Sequence, residues 1–112
     1  MPLYMIQASY TSEAWARLVQ RPEDRAGALK PVIERLGGTL MSWYYAFGDC
    51  DVVAIIDLPS NISAAAASMA VAAGKAVKGI KTTPLMSPDD GFDAMLLAQG
   101  AGYQPPGVST AV

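Results

Sequence analysis

The chain has 112 residues, of which 52% are hydrophobic and 16% charged, and a formal net charge of −2. This is enough for one domain with one core, and the lack of a basic excess excludes a nucleic-acid footprint or a polybasic membrane contact. With no histidine and one cysteine, Cys50, soft metal sites, internal disulfides and imidazole catalysis are excluded too.

Along the chain, Leu3 to Tyr10 combines β-favouring residues with Gln7 and Ser9 and reads as a strand. Thr11 or Ser12 can cap a helix opening at Glu13. Pro22 interrupts it, and Pro22-Glu23-Asp24 reads as the first turn of a second helical stretch running toward Leu36 and kinked at Pro31. Gly37-Gly38 stops that stretch. Thr39 to Phe47 and Cys50 to Leu58 follow as two strands joined by a two-residue hairpin turn at Gly48-Asp49. Pro59, Ser60 and Asn61 introduce an alanine-rich helix ending near Gly74, whose small side chains suit close approach to a sheet or another subunit. Val77 to Met86 forms a fourth strand broken at Pro84, and a short helix runs from Ser87 to about Gln99. Residues 1–99 are expected to form the domain. Residues 100–112, uncharged and rich in glycine and proline, are expected to form a flexible tail, with docking on a neighbouring subunit through Tyr103 and Val108 as the alternative.

The order strand, helix, strand, strand, helix, strand predicts an α+β fold of ferredoxin-like type: a four-stranded antiparallel sheet with helices on one face, plus an extra C-terminal helix. A turn at Gly48-Asp49 would pair Phe47 with Cys50, Tyr45 with Val52, Trp43 with Ala54 and Met41 with Ile56. That set is apolar and is assigned to the helices. The opposite set, Leu40, Ser42, Tyr44 and Ala46 beside Asp51, Val53, Ile55 and Asp57, mixes large apolar groups with hydroxyls and carboxylates. A charged fraction well below the roughly 25% of typical soluble domains leaves such a face too apolar for full solvation. The same face of a second copy would cover it, so a homodimer or higher multiple is expected. The N-terminus shows no basic n-region or cleavage site, and no uncharged apolar run reaches the roughly 18 residues of a membrane span. A cytoplasmic location is expected, with neither membrane nor nucleic acid as partner.

The run from Thr11-Ser12 through Gly27, Ala28, Lys30 and Gly37-Gly38, then Trp43 to Val53, and finally Ile80 to Leu85, closely resembles GYD-domain proteins over about residues 3 to 98. In the Phe-Gly-x-Tyr-Asp hairpin of that family, Gly48 and Asp51 match and Cys50 stands where tyrosine is expected. If that tyrosine gives a hydroxyl to a ligand, this chain lacks it; if it only packs, cysteine is a smaller substitute. The resemblance implies a dimeric α/β barrel and no specific activity.

The candidate ligand-binding residues are Ser42, Trp43, Tyr44, Asp51 and Lys81. Asp51 falls on the mixed face near Tyr44, where partial burial would make it a proton acceptor. Lys81 points to the same face if Ile80 and Thr82 face the helices, and there it pairs with Asp51 or binds a substrate carboxylate. Trp43 and Tyr44 belong with Trp15 and Tyr45 to the aromatic packing material of a small domain or to a pocket wall. Asp49 reads as turn chemistry, and Cys50, flanked by two carboxylates, as an unreactive thiol. Arg17, Arg21 and Arg25 read as a solvated stripe. The expected function is binding of a small organic ligand in an apolar pocket, with no cofactor and no metal. The alternatives are a cofactor-independent oxygenase or isomerase, suggested by similar dimeric barrels, and a purely structural oligomer.

Overall fold

A computed structural model describes residues 1–107. The elements are β1 (Leu3–Tyr10), α1 (Ser12–Gln20), α2 (Arg25–Arg35), β2 (Thr39–Tyr45), β3 (Val52–Asp57), α3 (Asn61–Ala73), β4 (Val77–Leu85) and α4 (Pro88–Gln99). Each helix starts where a short polar side chain can accept from its first turn. Thr11 accepts from Ala14 N–H at 3.1 Å, Asp24 from Gly27 N–H at 2.9 Å, Ser60 from Ser63 N–H at 3.4 Å and Ser87 from Asp90 N–H at 3.0 Å. Because Asp24 takes the cap, α2 opens at Arg25 rather than at Pro22. Pro31 lies inside α2, and Gly37, with φ at +92°, turns the chain out of it.

The sheet has the order β2-β3-β1-β4 with every neighbouring pair antiparallel. Both helical crossovers therefore skip one strand, which is the ferredoxin-like arrangement expected from the element order. Alternation along β1 buries Tyr4, Ile6, Ala8 and Tyr10, and along β3 it buries Val52, Ala54 and Ile56. Against them pack Ala14 of α1, Ile33 of α2, and Ala64 and Ala67 of α3, so the alanines of α3 do serve a close helix-to-sheet approach.

Two parts of the predicted hairpin differ. Tyr45 pairs with Val52 and Trp43 with Ala54, as the alternation requires, but a bulge between Leu40 and Ser42 puts Leu40, not Met41, opposite Ile56. One inserted residue reverses the faces beyond it. Leu40 packs against the core and Met41 is exposed. The connection is also wider than two residues: Ala46 N–H donates to Asp51 C=O at 2.8 Å, and Phe47 stands at the tip of that loop, fully exposed and unpaired with Cys50. Gly48 keeps an ordinary φ, and a Cβ there would meet nothing.

α4 buries no residue and exposes Phe92, Met95, Leu96 and Leu97. With Gly100–Gly107, also exposed, it gives the chain an extent of 69 Å and a radius of gyration of 18.8 Å, against about 13 Å for a compact chain of 100 residues. Tyr103 is exposed in this segment; Val108 and the rest of the expected tail, 108–112, lie outside the described residues. Among the described residues no helix is long and apolar enough to cross a membrane.

Candidate functional site

Small side chains on both sides of the helix-to-sheet interface open a cavity of about 280 Å³ between the sheet, α2 and α3. Ala8 and Ala54 form its floor, and Ala28, Ala70 and Gly74 face them from the helices. Interiors are close-packed where side chains are large enough to interdigitate; here five positions from four elements and one cap carry little or no side chain. The volume sits near the lower end of the roughly 300–1,000 Å³ of small-molecule pockets.

Three polar groups interrupt this apolar lining. Arg25, the first residue of α2, stands at the mouth with its side chain 38% exposed, and its Nη1 donates to Glu23 Oε1 at 3.3 Å. Tyr10, the last residue of β1, is buried, and its ring meets that of Trp15 edge-on at 5.2 Å. Trp43 lines the cavity from β2, packs edge-on against Tyr45 at 5.8 Å, and keeps its Nε1–H buried without a hydrogen-bond partner. Burial pushes the Tyr10 phenol above its ordinary 10.0, the nearby Tyr45 and Asp51 add to the rise, and the Arg25 guanidinium opposes it.

Of the residues named from sequence, the cavity gathers Trp43 alone. Ser42 and Tyr44 pair with Ile55 and Val53 on the opposite face of the sheet, where Tyr44 is 64% exposed. Lys81 lies on that face too, across from Gln7 and one residue from the core-packed Ile80, in a shallow depression with Ser9, Asp49 and Cys50. Asp51 does not join it. β1 continues past the start of β3, which leaves the Tyr10 N–H without a strand partner on that side; the chain bends at Asp51, and Oδ2 accepts from Tyr10 N–H at 2.9 Å and from Trp15 Nε1–H at 3.0 Å. The bend takes Asp51 out of the pleat from which its face was inferred. Sequence reasoning also missed Tyr10 and Arg25. Tyr10 was legible as the fourth member of the alternating core set of β1. Arg25 could have been found from its place just after a capping aspartate, since a cation at a helix N-terminus opposes the helix dipole and asks for a separate reason.

The family model of the GYD domain matches residues 4–95. The chain belongs to the GYD-domain family. Neither the curated proteins nor the solved structures gave a match. In this GYD-domain protein the position of the family tyrosine, Cys50, is half-buried in the β2–β3 loop and opens on the Lys81 depression, away from the cavity. The cavity is therefore built without it. Among the described residues no group of three or more metal-ligating side chains converges.

The buried phenol makes a pH expectation. A Tyr10 pKa raised above 10.0 means that the folded GYD domain holds its proton where the unfolded chain has released it. The associated stability is present below pH 10.0 and is lost as pH rises toward the folded value. Thermal unfolding of the natural protein is expected to fall more steeply above pH 10.0 than that of Tyr10→Phe. Parallel curves would show that the hydroxyl is not desolvated.

Proposed function

We propose that this protein is a cytoplasmic homodimer, or a higher multiple, that binds a small organic molecule in the cavity between the sheet and helices α2 and α3. The cavity itself carries the reading: it is concave, apolar and walled by rigid elements, with a few convergent polar groups. The opposite sheet face supports the second half. Leu3 and Tyr44 are exposed there beside half-buried Val53 and Ile55, and a second copy covering this face would close a dimeric α/β barrel. The apolar side of α4, with Phe92, Met95 and Leu96, adds area toward the roughly 1,000 Å² a specific interface needs.

A proton-abstracting oxygenase or isomerase is supported less well. It needs an acceptor at the substrate, whereas the polar groups of the cavity are an arginine, a phenol and an indole, and Asp51 is engaged by two donors.

Native mass spectrometry of freshly purified protein tests both halves. The expected result is a dimer or higher multiple of the 11.7 kDa chain carrying a small non-covalent mass that denaturation removes. A folded monomer would reject the barrel. A dimer that retains nothing and binds no apolar probe would favour the purely structural oligomer.

A further inference from the structure

We propose that the cavity takes a small organic carboxylate, with its apolar body between Leu29 and Ala54 and its carboxylate at the mouth against the Arg25 guanidinium and the Tyr10 hydroxyl. The assignment deepens the reading of this cavity as a ligand site and rests on it.

Four observations carry it. The side-chain groups that face the cavity offer hydrogens in excess. Arg25 is a donor only and Tyr10 has one hydroxyl hydrogen, while the Trp43 ring closes the wall with its Nε1–H enclosed. Among the described residues no aspartate or glutamate lines the cavity, so the matching ligand group is one that only accepts. An ionised carboxylate has this property and takes a guanidinium in bidentate fashion. The second observation is the position of Arg25. It heads α2, where the helix dipole disfavours a cation, and the neighbouring Asp24 carboxylate is taken up by the cap rather than by an ion pair with Arg25. Its bond to Glu23 joins two exposed groups, an arrangement that contributes little to stability.

The third observation is that Arg25, at the head of α2, and Tyr10, at the end of β1, line the same cavity, so that one anionic group can meet both. Finally, the remaining wall is aliphatic and aromatic, and it confines the body of the ligand to one ring or a short chain. An amine of the same shape would be repelled by Arg25, and a neutral carbonyl would leave the charge unused.

The test uses matched probes on the full-length protein: benzoate and hexanoate, with benzamide and hexanamide as their neutral counterparts. Affinity is measured by calorimetry and entry into the cavity by the Trp43 indole N–H resonance. The acids are expected to bind at least about tenfold more tightly than the amides, the usual scale for a hydrogen bond to a charged group. Arg25→Gln is expected to erase that preference by lowering acid affinity to the level of the amides. Arg25→Lys, which keeps the charge without the fork, should retain part of it. Circular dichroism checks that both variants fold, and Arg25→Lys carries the comparison if the glutamine variant does not. Amides binding as well as acids, or a preference that survives Arg25→Gln, would overturn the carboxylate assignment and leave the cavity as a site. Failure of all four probes to bind, or binding that leaves the Trp43 resonance unmoved, would reject the cavity reading and this assignment together.

Discussion

Replacing Asp51 with alanine is expected to lower stability by about 2–4 kcal/mol, since a buried donor left unsatisfied costs about 1–3 kcal/mol. The substitution strips the acceptor from two part-buried donors together, Tyr10 N–H and Trp15 Nε1–H. Asp51→Asn keeps one oxygen and should lose less. Lys81→Met, on the far face of the sheet, should change stability by no more than about 0.5 kcal/mol, as surface substitutions do. The double replacement should then equal the sum of the singles within about 0.5 kcal/mol. Urea midpoints at constant m-value measure the natural protein and the four variants. A coupling well beyond that margin, or a tolerated Asp51→Ala, would contradict the placement of the carboxylate against β1 and α1. Because Tyr10 also lines the cavity, the same carboxylate holds part of the cavity wall in place.

The misplacement of Asp51 marks where sequence reading reaches its limit. Helix starts were legible, because Thr11, Ser60 and Ser87 are short polar residues in front of helical runs; Asp24 was legible as a polar start but assigned to the first turn instead of the cap. The ferredoxin-like order was legible from the succession of elements, and the Trp43 and Tyr45 pairings from strict alternation. What alternation cannot report is a change of phase. The bulge between Leu40 and Ser42 leaves no mark in Leu40-Met41-Ser42-Trp43, where apolar residues stand at both parities up to Met41. The bend at Asp51 has the same effect at the other end of the hairpin. The cavity was illegible for a different reason: it depends on Ala8, Ala28, Ala54, Ala70 and Gly74 meeting in space, and small residues far apart in sequence look individually unremarkable.

Gly38→Ala is expected to be the most damaging single methyl group in the chain, lowering stability by about 3 kcal/mol or more, in the upper range for point substitutions. The added Cβ would overlap the Asp57 carbonyl oxygen and press on Leu58 Cδ2 at 2.8 Å, where β2 enters the sheet. Neither side can yield easily. Gly38 N–H is bound to Ile33 C=O at 3.0 Å, Thr39 N–H to Asp57 Oδ1 at 2.7 Å, and Leu58 is fully buried. β2 would have to separate from the end of β3. Gly48→Ala, the same change at a position where a Cβ meets nothing, is the control and should lie within about 0.5 kcal/mol of the natural protein. Thermal unfolding of the pair suffices. Equal melting temperatures would mean that the approach of Gly38 to Asp57 is looser than the structure has it.

The bulge at Met41 also bears on how the borders of the sheet would receive a further strand. β2 and β4 are the outer strands of the sheet, and an outer strand offers a row of free N–H and C=O groups onto which a strand from another molecule can add. In β2 that row is broken at the bulge, which increases local twist and spoils the register a docking strand would need. On the other border, β4 carries Lys78 and Lys81 and includes Pro84, a residue with no N–H to give. For a chain that is 52% hydrophobic, both borders of the sheet thus resist lateral extension by a strand of another molecule.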